Sequence, residues 1–151
     1  MIPRKEYLNN LKALKDKHVI KVISGVRRCG KSTLFALYIE YLRQTGVDDN
    51  CIISINLEDM DNAGLQDYKA LYSYIKSRLV SGRMNYIFID EVQKCRGYEK
   101  AVDSLFIKDN CDIYITGSNA YLLSGELATL LSGRYIEISM LPFSFREYCD
   151  A

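Results

Sequence analysis

Short β-rich apolar runs alternate along the chain with longer stretches of helical periodicity. Residues 18–25, HVIKVISG, read as a strand ending in glycine, and residues 31–44 as a helix with Leu34, Leu37, Tyr38 and Tyr41 at helical spacing. CIISINL (51–57) is a second strand, closed by the acids Glu58, Asp59 and Asp61. Residues 66–80 give a helix with Tyr68, Leu71, Tyr72, Ile75 and Leu79 on its apolar face, and NYIFID (85–90) a buried strand too short for a helix. A helix over 98–107 turns Tyr98, Ala101, Val102 and Leu105 inward. DIYITGS (112–118), a leucine-rich helix over 121–131 and RYIEIS (134–139) complete the series. Upstream, residues 3–15 predict a helix with proline at its start and Tyr7, Leu11 and Leu14 on one face.

Five strands alternating with helices imply an α/β fold, with a parallel sheet covered on both faces by right-handed crossovers. The 151 residues suit one domain without disulfide staples. Hydrophobic content of 48% and charged content of 26% are those of a soluble globular protein. The tyrosines fall largely on core faces and read as packing, not as a base-stacking platform. Residues 141–151 carry Leu141, Phe143 and Phe145 past the fifth strand, and these need something to pack on.

The net charge of +1 gives no global attraction to nucleic acid or an anionic membrane. Residues 1–31, however, hold nine basic and two acidic side chains, while the other 120 hold eleven basic and seventeen acidic. That basic quarter either faces a polyanion or, the reading preferred here, surrounds phosphates and is otherwise a solvated helix face. Cysteines 29, 51, 95, 111 and 149 show no CxxC pair, which suits a reducing compartment. No signal peptide or membrane-length apolar run is visible, so a cytoplasmic location and no membrane partner are expected.

Chemistry concentrates first in GVRRCGKST, Gly25-Val26-Arg27-Arg28-Cys29-Gly30-Lys31-Ser32-Thr33, which fulfils GxxxxGK[ST], the Walker A pattern, between a strand and a helix. Its glycines let successive N–H groups point at phosphate oxygens, and the helix beginning at Lys31 adds its positive dipole end. Lys31 is placed for β- and γ-phosphates and Ser32 for Mg²⁺. Arg27 and Arg28 are not required by that cradle and are expected on its rim, toward another domain, a neighbouring subunit or an anionic partner. Cys29 reads as a small residue that fits.

Asp90 emerges at the C-terminal end of the third strand, where ligands of parallel sheets collect, and is expected to hold the metal as a Walker B acid. Glu91 beside it is placed to orient or deprotonate water, which points to hydrolysis. One strand further on stand Thr116, Ser118 and Asn119; Ser118 or Asn119 either senses the γ-phosphate or caps the next helix, and both roles stay open. By itself Arg134 reads as a surface arginine opening a strand, with an arginine finger as the second reading. LLSGE (122–126) follows the acid pair instead of preceding it, which rules out the signature of transporter ATPases. His18 is expected to be structural.

With these pieces in order, the chain resembles bacterial and archaeal AAA-type ATPases carrying GVRRCGKST, DEVQ, TGSNA, LLSGELATLLSGRY and LPFSFREY, here at 25–33, 90–93, 116–120, 122–135 and 141–148. The resemblance implies a three-layer P-loop NTPase core with strand order 5-1-4-3-2, ATP and Mg²⁺ as ligands, and hydrolysis. It maps the phosphate loop onto Gly25 to Thr33, the metal and water acids onto Asp90 and Glu91 and a first sensor onto Ser118–Asn119. It also raises Arg134 to an arginine finger acting on a neighbouring subunit, and it places Gln93 in the motif without a role. Such proteins continue into a C-terminal domain. The expected organisation is therefore an N-terminal helix (1–17), an ATPase core (18–140) and a lead into an absent C-terminal region (141–151). Expected partners are that region, the nucleotide, a homo-oligomer and possible DNA. An ATP-loaded binding switch with negligible turnover is the alternative function. A small-molecule kinase fits less well, because Glu91 suits water attack better than a second substrate.

Overall fold

A computed structural model describes residues 5–25, 30–118 and 134–140. Its five strands, β1 (Ile20–Gly25), β2 (Ile52–Asn56), β3 (Asn85–Asp90), β4 (Cys111–Ser118) and β5 (Tyr135–Met140), form one sheet in the order β2-β3-β4-β1-β5. Every pairing is parallel. This is the order and the α/β P-loop architecture that the sequence implied. The central strands β1 and β3 are buried at every position, as strands covered on both faces must be.

Helices α1 (Lys5–Leu14) and α2 (Lys31–Gln44) cover one face, α3 (Tyr68–Lys76) and α4 (Tyr98–Phe106) the other. On the first face Leu11, Leu34, Phe35, Tyr38 and Leu42 pack against Ile23, Phe88 and Tyr114. On the second, Leu71, Ile75, Val102 and Leu105 pack against Ile53, Ile55, Ile87, Ile89, Ile113 and Ile115. The buried stripe of α2 runs through Leu34, Phe35, Tyr38, Ile39 and Leu42, with Leu37 and Tyr41 only half-buried at its margin. Helix α3 is shorter than the expected 66–80. The Asp67 side chain accepts from the Lys69 N–H and starts the helix there, and Ser77 ends it by donating its hydroxyl to the Tyr74 carbonyl. Between β2 and α3 the acidic stretch winds into a 3-10 turn, Met60–Leu65, capped by Asp59.

Two charged side chains are buried in the strands of the sheet. Lys21 and Asp112 are 0% and 2% exposed and meet at 2.5 Å on the α1/α2 face. Lys21 also donates to the Lys17 carbonyl, and Asp112 accepts from the Tyr114 hydroxyl and the Asp16 N–H. Tyr38 and Tyr114 share a hydroxyl–hydroxyl bond of 2.9 Å, and Tyr86 donates to Asp16 at 2.6 Å. Burial pushes Asp112 up and Lys21 down, each toward its neutral form, with their mutual attraction opposing both shifts. Lys21 thus corrects the expectation that the basic first quarter only lines phosphates or faces solvent. It pins the turn before β1 to β4.

His18 has the structural role expected of it: its ring stacks on Phe106 at 4.1 Å and its Nε2 lies 2.8 Å from the Phe106 carbonyl. Cys51, Cys95 and Cys111 are free and buried, and burial pushes the thiols of Cys95 and Cys111 up to about 11. Among the described residues no helix is long and apolar enough to cross a membrane. The start of the first expected helix, the helix over 121–131 and the segment 141–151 lie outside the described residues.

Candidate functional site

Parallel strands bring their C-terminal ends to one edge of the sheet, and the residues of interest stand along it. β1 ends at Gly25, which pairs in register with Ser118 of β4. Gly30, just before α2, has φ of 95°, a left-handed conformation that favours glycine. Among the described residues no side chain caps the start of α2, which leaves the first N–H groups of that 14-residue helix, with its positive dipole end, for another acceptor. Lys31 is 4% exposed and turns back toward the end of β1, its Nζ 3.2 Å from the Gly25 carbonyl. Val26, Arg27, Arg28 and Cys29 lie outside the described residues, as does Asn119.

Asp90 ends β3 and is 6% exposed. One carboxylate oxygen accepts from the Ser32 hydroxyl and the other from the Thr116 hydroxyl, both in short hydrogen bonds. Three elements thus place hard oxygen donors at one point: β3 through Asp90, α2 through Ser32 and β4 through Thr116. Oxygen donors of this kind, few in number and beside a phosphate cradle, fit Mg²⁺, which keeps several waters and binds through one or two carboxylates plus phosphate. Among the described residues no group of three or more His, Cys, Asp or Glu side chains offers a cage that would hold a metal without the nucleotide.

Glu91 follows with φ of 57° and ψ of 53°, left-handed for a residue that is not glycine. Such a conformation costs about 1–3 kcal/mol and persists where surrounding bonds impose it. Here the Glu91 N–H donates to Thr116 Oγ1 at 3.0 Å, and its carbonyl accepts from the Lys94 N–H at 3.0 Å, closing the 3-10 turn Val92–Lys94. The Glu91 carboxylate accepts from Gln93 Nε2 at 2.6 Å. The turn carries the second acid off the strand direction while leaving it next to the first.

The structure therefore gathers Gly25, Gly30, Lys31, Ser32, Asp90, Glu91 and Ser118 at one edge. Thr33 follows Ser32 in the first turn of α2 with its side chain exposed. Thr116, grouped at the sequence level with a γ-phosphate sensor, instead joins Asp90 to the Glu91 backbone. Its position beside the end of β3 was the available signal. Arg134 is elsewhere. Its carbonyl accepts from the Ile20 N–H at the entry to β1 and β5, and its guanidinium lies 5.7 Å from the Phe106 ring centroid. The six residues of β5 separate it by roughly 20 Å from the edge where the acids stand. It does not reach this chain's own site.

Comparison with known proteins agrees with this architecture. The chain is 47% identical over 152 residues to an uncharacterised protein of Haemophilus influenzae, covering 100% of this chain and 38% of that one, so it spans well under half of that relative's length. Its fold is similar to a DNA polymerase III gamma subunit-related protein of Thermotoga maritima, at a TM-score of 0.61 and 15% identity, covering 95% of this chain and 48% of that one. It is also similar to a chain of the Drosophila ORC bound to DNA, at a TM-score of 0.56 and 10% identity, covering 96% of this chain and 94% of that one. These structural likenesses concern the fold alone. The AAA domain profile matches residues 17–149, and the chain belongs to that family of AAA-type P-loop ATPases.

Proposed function

We propose that this chain is the ATP-binding and hydrolysing core of a larger protein. The observation that carries the proposal is the convergence on Asp90 of hydroxyls from α2 and β4, with Glu91 held as the next residue by the same Thr116. In this reading the triphosphate lies over the loop from Gly25 to Thr33, bound by backbone N–H groups, the start of α2 and Lys31. Ser32 and Asp90 would hold Mg²⁺, which when bound would supply positive charge against the phosphates. Glu91 accepts a proton from water as its oxygen bonds to the γ-phosphorus. The bond from that phosphorus to the bridging oxygen breaks, and ADP leaves with the electron pair. Ser118, paired with Gly25, and Asn119 after it are assigned to positioning near the γ-phosphate.

Arg134 stands at the wrong end of the sheet to serve its own nucleotide, so its proposed role is in trans, toward a neighbouring copy. Arg27 and Arg28 are assigned to the rim of the loop. The C-terminal region that the family resemblance implies is the proposed recipient of the ATPase cycle. The DNA-bound Drosophila neighbour makes DNA the first polyanion to test against the full-length protein.

Lys31→Ala in the full-length protein tests the binding half of the proposal. Removing a charge-assisted phosphate contact worth about 1.5–3 kcal/mol should weaken ATP binding roughly 10- to 100-fold, measured by calorimetry. Undiminished affinity would remove Lys31 from the site. Stoichiometric ATP retained uncleaved for hours by the wild-type protein would favour the binding switch over the hydrolase.

A further inference from the structure

Gln93 follows the acid pair by two residues, and its amide makes one side-chain hydrogen bond among the described residues: Nε2 donates to Glu91 Oε2 at 2.6 Å. The other end of the amide, Oε1, is buried with no partner among the described residues. An ionised carboxylate only accepts, so the NH2 group must face Glu91; the flipped amide would set two oxygens against each other. A buried acceptor without a donor costs free energy, and native structures hold few of them. Gln93 tolerates that loss in the orientation that serves Glu91.

The backbone of Glu91 is already fixed at both polar groups, by Thr116 Oγ1 on its N–H and by the Lys94 N–H on its carbonyl. The side chain between them has free torsions, and Gln93 supplies a third point of attachment at Oε2. A charge-assisted bond at that length is among the stronger kinds. It leaves the second carboxylate oxygen to receive a proton from water.

We infer that Gln93 is the positioning residue for Glu91, holding the carboxylate in the orientation that water attack requires. The inference rests on the hydrolase reading. Among the described residues the Gln93 side chain bonds Glu91 and neither Lys31, Ser32 nor Asp90, so its loss should lower kcat without weakening nucleotide binding. Losing one charge-assisted bond predicts a fall in kcat of about 10- to 100-fold. Gln93→Ala removes the bond. Gln93→Glu keeps the length but replaces the donor by a like charge.

The test is steady-state and single-turnover ATP hydrolysis by the full-length protein, with ATP affinity and melting temperature measured on the same samples. Both Gln93 variants should show the fall in kcat, with KM and affinity within about twofold of wild type. In a Glu91→Gln background, Gln93→Ala should cause no further fall, because its effect passes through that carboxylate. A purely structural role would lower turnover in both backgrounds. Wild-type kcat in Gln93→Ala and Gln93→Glu, with Glu91→Gln slowed as expected, would overturn this inference and leave the hydrolase reading standing. A loss confined to ATP affinity would also overturn it. Absence of turnover in the wild-type protein would sink the hydrolase reading, and this inference with it.

Discussion

Glu91→Gln in the full-length protein should slow ATP turnover by orders of magnitude, to a measurable residual rate, while preserving ATP binding. General-base catalysis by a positioned carboxylate contributes about 10²–10⁴-fold, and glutamine keeps the shape while losing the base. The local structure argues for selective loss. The Glu91 N–H and carbonyl hold the strand end and the 3-10 turn together whatever the side chain is. Asp90 keeps both of its hydroxyl partners, from Ser32 and Thr116. The loop side of the site is therefore unaltered, and the variant should accumulate with ATP bound. Quench-flow hydrolysis alongside equilibrium binding separates the two effects. Undiminished turnover would remove Glu91 from the chemistry. Lost binding would mean that it supports the cradle instead.

A second large effect is expected far from the nucleotide. Lys21→Met leaves the Asp112 carboxylate buried with only the Tyr114 hydroxyl and the Asp16 N–H as partners. Breaking a buried pair from one side costs about 3–5 kcal/mol, because an uncompensated charge remains. In a chain of this size that corresponds to a melting temperature lower by about 6–20 °C. Asp112→Leu should do similar damage by stranding Lys21. The double variant should be more stable than either single one, since apolar replacements of buried pairs are often neutral. The pair lies near the N-terminal ends of β1 and β4, whose C-terminal ends carry Gly25 and Thr116. Its assigned work is holding those strands in register. An unchanged melting curve for Lys21→Met, followed by circular dichroism, would contradict this role.

Much of the fold was legible because helices and buried strands differ in apolar period. The bounds of α2 and β3 agree with the periodicity, and β1, β2, α4, β4 and β5 differ at their ends by two residues or fewer. Ends set by side-chain caps, as at Asp67 and Ser77, need the hydrogen bonds themselves. The candidate site was legible where a motif is local: Gly25 to Thr33 is one contiguous run of sequence and Asp90–Glu91 one strand end. Lys21 and Asp112 stand 91 positions apart, and each alone reads as an exposed charge. Thr116 is tied to Asp90 only through neighbouring strands 26 positions apart. Gln93 lay in plain view within DEVQ, yet its function depends on a side-chain orientation that spacing does not contain. Arg134 illustrates the converse. Its place before the fifth strand was legible, and the direction of β5 decides that it faces away from its own site.

The central claim is that the edge formed by Lys31, Ser32, Asp90 and Glu91 hydrolyses ATP. Phosphate release from γ-labelled ATP by the purified full-length protein, with Mg²⁺ and with Mg²⁺ chelated, tests it most directly. The account predicts multiple turnovers with Mg²⁺ and about a hundredfold less or nothing without it. ATP bound stoichiometrically and recovered intact in the presence of Mg²⁺ would contradict it.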